Sequence, residues 1–179
     1  HFKMKYKKLN YLVLFIYLIS SGSSYSIERP DIKNLLIHNE KKKIEKVEFY
    51  NSKNKKVTLN DFKSNLVIIN FWATWCAPCK EEMPHLNNLK LKSEFKNVDI
   101  IPINIADEDL KKSKEFFEDL NINNLKIFYG SSLDLAKTFK LRGIPTTIII
   151  DKEGYELARI IGYIDFENKS FVNWLSNYL

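Results

Sequence analysis

The stretch from Leu66 to Pro84 reads LVIINFWATWCAPCKEEMP. Its opening residues, Leu66 to Phe71, form a near-continuous apolar run, as expected of a central strand buried on both faces. Trp72 to Trp75 then carry the chain to Cys76 and Cys79, and a helix follows with Met83, Leu86 and Leu89 on one stripe and Pro84 placed to kink it. The local order is therefore strand, turn, Cys-x-x-Cys, helix. A thiolate, not a thiol, attacks a disulfide, so an efficient exchanger must lower one cysteine below the free-thiol pKa of about 8.5. The start of a helix does this, because its unpaired N–H groups and the positive end of its dipole favour a negative sulfur at Cys76. Pro78 fits the first turn, where its missing N–H costs nothing. Cys79, one turn inside, is within reach to resolve a mixed disulfide formed at Cys76.

Outward from this segment the pattern is α/β. Val98 to Ile105 is a second apolar strand, and Leu110, Ser113, Phe117 and Leu120 mark one face of the next helix, so the first two strands should be parallel. A short strand, Leu125 to Tyr129, and a short helix, Leu133 to Phe139, follow. After Gly143, Ile144 and Pro145, the run Thr146 to Asp151 turns at Lys152, Glu153 and Gly154 into Tyr155 to Ile161, an antiparallel hairpin. A closing helix is expected from Phe166 to Tyr178, with Phe171, Trp174, Leu175 and Tyr178 at helical spacing. Upstream, Val47 to Tyr50 and Lys56 to Leu59 flank a polar turn and read as another hairpin. Ile27 to Lys46 is polar and lysine-rich, and is expected to be a linker or loosely docked extension.

The chain of 179 residues carries a formal charge of +6. Lys3, Lys5, Lys7 and Lys8 precede an apolar run from Leu9 to Ile19 and then small polar residues from Ser20 to Ser26, the layout of a secretory signal. A bilayer-spanning helix needs roughly 17 to 25 residues, so residues 1–26 are expected to be a signal peptide, with a membrane anchor through residues 9–19 as the alternative. Losing those four lysines and no acid would leave +2, which, with no basic aromatic face, argues against nucleic acid. The two cysteines are too close to act as a structural staple, since a bridge across so short a loop removes little chain entropy. The glycines, Gly22, Gly130, Gly143, Gly154 and Gly162, are too scattered for a phosphate-cradling loop or dinucleotide fingerprint. No cofactor is expected, and electrons should arrive by thiol exchange. No metal site is expected either, because Cys76, Cys79 and His85 lack the fourth ligand of closed zinc.

The segment Phe71 to Lys80, with Glu81, Glu82, Met83 and Pro84 after it, resembles the active-site segment of thioredoxins and in particular of the TlpA/ResA-type periplasmic thiol:disulfide oxidoreductases. Gly143-Ile144-Pro145-Thr146-Thr147 resembles the family's cis-proline loop, and the likeness runs from about Val47 to the C-terminus. It implies a thioredoxin fold, a central mixed sheet flanked by helices, here with an N-terminal β-hairpin extension. It also implies a cis bond from Ile144 to Pro145, with the backbone of Ile144 available to pair with an extended substrate. Trp75 is expected to line the docking surface. Cytosolic thioredoxins carry a buried aspartate where this chain has Asn70, and an amide cannot take over its proton. Glu82, three residues after Cys79 and on the same side of the helix, is the expected replacement.

The function implied is reduction of partner-protein disulfides in the periplasm, with a membrane thiol reductant upstream. An apocytochrome c or the copper-site cysteines of an oxidase subunit are the implied substrates. Anchoring at the inner membrane facing the periplasm is the alternative location. Two other functions remain open: a copper(I) chaperone using the same two sulfurs, and a disulfide-forming oxidase, although oxidases of the DsbA type carry histidine where this chain has Pro78.

Overall fold

The computed structural model describes residues 27–179 except Glu45. The expected signal or anchor, residues 1–26, lies outside the described residues. No helix among the described residues is long and apolar enough to cross a membrane.

The strands are β1 Leu35–Lys43, β2 Glu48–Asn51, β3 Lys56–Thr58, β4 Leu66–Trp72, β5 Asp99–Asn104, β6 Phe128–Tyr129, β7 Thr146–Asp151 and β8 Tyr155–Ile161. They form one mixed sheet in the order β1-β8-β7-β4-β5-β6-β2-β3. The helices are α1 Ala77–Leu91, α2 Leu110–Asp119, α3 Ser132–Phe139 and α4 Lys169–Ser176. Every residue of β4 is buried, as a central strand covered on both faces requires. Its side chains alternate between two cores. Leu66, Ile68 and Trp72 join Met83, Leu86 and Leu89 of α1 and Phe171, Trp174 and Leu175 of α4. Val67, Ile69 and Phe71 join Leu135 and Phe139 of α3 and the hairpin residues Phe49 and Val57. The central mixed sheet flanked by helices is the thioredoxin fold that the sequence resemblance implied.

β4 runs parallel to β5 and antiparallel to β7, with Phe71 opposite Thr146 and Trp72 opposite Asn104. The loop that follows β4, the loop that precedes β7 and the loop that follows β5 therefore leave the sheet at one end. That end holds the cysteines.

The segment expected to be a linker or loosely docked extension is in part an edge strand. Leu35 is fully buried opposite Ile160, Ile37 lies opposite Ala158, and Leu36 between them faces the other way. The apolar alternation is only one repeat long before a register shift past Ile37, too short to read through the lysines around it. The sheet thus begins about a dozen residues before Val47. A shift between Ile149 and Ile150 in the β7–β8 pairing brings Glu156 and Arg159 of β8 to one side of the sheet, where their side chains bond.

The sixth strand is confined to Phe128–Tyr129. The last helix starts at Lys169 rather than Phe166, because the Asn168 side chain caps it by accepting from the N–H groups of Ser170 and Phe171.

Candidate redox site

Cys76 is the N-cap residue of α1, with extended backbone angles, and its Sγ accepts from the N–H of Cys79 at 3.3 Å. Ala77 and Pro78 fill the first helical positions, so the turn is stiff and no buried N–H is lost at Pro78. Cys76 and Cys79 are joined in a disulfide, S–S 2.06 Å, with Cα atoms 5.3 Å apart. In this oxidised state both residues are covered: Cys79 is fully buried and Cys76 retains 5% exposure, less than a cysteine presented in the open would have. Trp75, immediately before them, is 71% exposed.

The bond from Ile144 to Pro145 is cis. Pro145 is buried and Ile144 half-buried, and the loop is held by Thr146 Oγ1 donating to the carbonyl of Gly143 and by the N–H of Gly162 donating to that of Pro145. Gly162 sits at φ +91°, a conformation that disfavours side-chain-bearing residues.

Glu82 does not face solvent. It is fully buried, with Oε1 accepting from Asn70 Nδ2 at 2.7 Å and Oε2 accepting from the Ile164 N–H at 3.3 Å. Burial pushes its carboxyl up to about 8, against the two hydrogen bonds, which favour the ionised form. Among the described residues no Lys, Arg or His pairs with Glu82, so nothing of opposite charge offsets its burial. A carboxyl that titrates there can hold or release a proton under the conditions in which thiols exchange. Asn70 also donates to Thr147 Oγ1 at 3.0 Å, its cross-strand neighbour, two residues beyond the cis-proline.

His85 directs Nδ1 to Glu167 Oε2 at 2.9 Å and Asp165 Oδ1 at 3.4 Å. It is anchored to the loop before α4 and is half-buried rather than a free surface residue.

One set of supporting residues escaped the sequence reading. Glu108 accepts from Thr74 Oγ1 at 2.8 Å and from Asn104 Nδ2 at 2.8 Å, and Asn104 Nδ2 also donates to Ser113 Oγ at 2.8 Å. These bonds tie the loop carrying Trp75 and Cys76 to the end of β5 and to α2. Only the sheet register brings residues 34 apart in sequence together, so no local pattern signals it. A cleft of about 730 Å³ lies at the far edge of the sheet between Lys53, Lys56, Phe62, Lys114 and Phe128 and includes none of the site residues.

The redoxin family model matches residues 38–173. Thiol-disulfide oxidoreductase ResA of Bacillus thuringiensis subsp. konkukian is 37% identical over 108 residues, which cover 60% of this chain and 61% of that protein. The chain thus matches about six tenths of that relative's length. Among solved structures, a secreted thiol-disulfide isomerase from Corynebacterium glutamicum superposes with a TM-score of 0.69 at 20% identity, covering 86% of this chain and 97% of that one. A DsbF homologue from Corynebacterium diphtheriae gives 0.66 at 21% identity, covering 84% and 98%. The family match begins inside β1, in agreement with an edge strand that belongs to the domain. By the extent of the family match, the chain belongs to the redoxin family, and it is similar to the ResA thiol-disulfide oxidoreductases over six tenths of their length.

Proposed function

We propose that the chain is a thiol:disulfide oxidoreductase that reduces disulfides of partner proteins, with Cys76 as nucleophile, Cys79 as resolving thiol and Glu82 as proton carrier. The observation that carries this reading is the Cys76–Cys79 disulfide at the N-terminus of α1, above a buried carboxyl on the same helix. In the reduced protein the Cys76 thiolate attacks a partner disulfide, forming a mixed disulfide and releasing one partner sulfur as thiolate. Glu82, as carboxylate, takes the Cys79 proton. The Cys79 thiolate then attacks Cys76 Sγ, the mixed disulfide breaks, and the second partner sulfur leaves as thiolate. Two electrons have passed to the partner and the intramolecular disulfide has formed. Trp75, Ile144 and Pro145 form the surface on which the partner's extended segment docks. An upstream membrane thiol protein returns the electrons.

The export-like N-terminal sequence supports action in the periplasm, either as a released protein or tethered through residues 9–19, and the structural neighbour from Corynebacterium glutamicum is a secreted protein. An apocytochrome c or an oxidase subunit is the expected partner.

Cys79→Ser tests the reading. Serine is too weak a nucleophile to resolve the mixed disulfide, so this variant should accumulate a covalent adduct on a non-reducing gel, and Cys76→Ser should trap none. Failure of both variants to trap a protein, together with tight stoichiometric copper(I) binding by the reduced wild type, would replace the exchanger with the chaperone.

A further inference from the structure

Asn70 is fully buried on the strand that leads to the cysteines, and its side chain is only half used. Nδ2 donates both of its contacts, to Glu82 Oε1 and to Thr147 Oγ1, while Oδ1, buried as well, has no partner among the described residues. A buried acceptor left unpaired costs free energy, on the order of 1–3 kcal/mol. It persists at a place where the neighbouring group is expected to change its hydrogen-bonding character. An ionised carboxylate only accepts, whereas a protonated carboxyl also donates. Thr147 adapts to either, since a hydroxyl both donates and accepts. An amide is the side chain that can answer both states of Glu82, because a half-turn exchanges its N–H face for its oxygen face without moving the strand.

We propose that Asn70 is a positioning residue for Glu82 that serves both protonation states by turning its side-chain amide. With Glu82 ionised, Nδ2 faces Glu82 and Thr147, the arrangement seen here. When Glu82 carries the proton on Oε1, Oδ1 turns to accept from the carboxyl O–H and from the Thr147 hydroxyl. An aspartate at this position could not do this, since it would set a second carboxylate against Glu82. The turn also reaches the substrate side of the site, because Thr147 stands in β7 directly after the cis-proline loop. Docking of a partner on that loop and protonation of Glu82 therefore act on the same amide.

The inference rests on the proton-carrier reading of Glu82, and the experiment separates the two. The full oxidised chain, labelled with ¹³C and ¹⁵N, has no thiol to titrate, so the Glu82 carboxyl carbon and the Asn70 side-chain amide can be followed by NMR from about pH 5 to about pH 10. Cross-relaxation from the Asn70 amide protons to the Thr147 methyl should be present above the Glu82 midpoint and lost below it. In Glu82→Gln it should not change with pH. A Glu82 carbon that titrates while the amide keeps its contact throughout overturns the turning amide and leaves Glu82 as proton carrier. A Glu82 carbon that does not titrate in this range overturns it as well. If the amide switches with Glu82 but disulfide exchange is unaltered in Glu82→Gln, the amide turn stands and the proton-carrier reading falls.

Discussion

Among the described residues two carboxylates are sealed in this domain, Glu82 three residues after Cys79 on α1 and Glu156 on the opposite flank of the sheet, and their carboxyls are shifted in opposite directions. Glu156 is 1% exposed, nearly as buried as Glu82. Burial alone would raise it too, but Arg159 donates to both of its oxygens at 2.8 and 3.0 Å, and His38 and Lys42 lie against it, so its carboxyl is held below the ordinary range. Glu82 has only an amide and one backbone N–H, and rises to about 8. Burial makes a carboxyl expensive in both places, and the partner decides whether that cost is met by structure or left available for chemistry. At Glu156 the charge holds elements together: Arg159 also donates to the carbonyls of Phe139 and Lys140, tying β8 to the end of α3, and His38 pins the edge strand β1. At Glu82 two neutral hydrogen-bond donors face the carboxyl and no cation offsets its burial, so it is pushed up to about 8.

The largest effect should come from taking the cation away from Glu156. Arg159→Met leaves a buried carboxylate without its main partner, and should cost about 3–5 kcal/mol in urea unfolding. A loss under about 1 kcal/mol would mean that Glu156 is neutral or reaches water, and the contrast between the two acids would fail.

Glu82 should behave in the reverse sense. Its folded pKa lies above its unfolded value of about 4.5, so the folded state binds more protons between about 4.5 and 8, and stability falls as pH rises through that window. Relative to the wild type, Glu82→Gln should therefore gain a few kcal/mol from acid to alkaline pH. Parallel stability curves for the two proteins would show that Glu82 titrates as an ordinary exposed acid. For Glu156 the sign is opposite. Its contribution is full above about 4.5 and is lost as pH falls through its depressed folded value.

His38→Ala should have the smallest effect, about 1 kcal/mol, because Glu156 keeps Arg159 when one hydrogen bond is removed. Exchange protection of β1 amides should fall more than that of β7, since His38 holds the edge and not the centre. Equal losses in both strands would place the histidine outside the clamp.

Much of this was legible from the residues. The apolar run of β4, the helix after the cysteines and the β7–β8 hairpin each follow from local pattern, because a fully buried strand and an amphipathic helix write their environments into consecutive residues. Glu82 could be nominated from its spacing to Cys79, yet its burial could not, since the Lys80-Glu81-Glu82 run reads as a solvated face. One of the groups that holds it there, the N–H of Ile164, lies 82 residues downstream. The same limit hid β1, whose partner is the last strand, the brace from Glu108 to Thr74, and the pairing of Glu156 with His38, 118 residues apart. Contacts fixed by sheet order leave no periodic trace in either segment.

The proposed transfer of the resolving thiol's proton to a buried, cation-free carboxyl has a kinetic signature. The pH dependence of peptide-disulfide reduction by wild type and Glu82→Gln tests it directly. The wild-type rate should inflect near the Glu82 pKa of about 8, and the variant should be slower by at least about tenfold and lose that inflection. An unchanged rate and an unchanged inflection in Glu82→Gln would exclude Glu82 as the proton carrier.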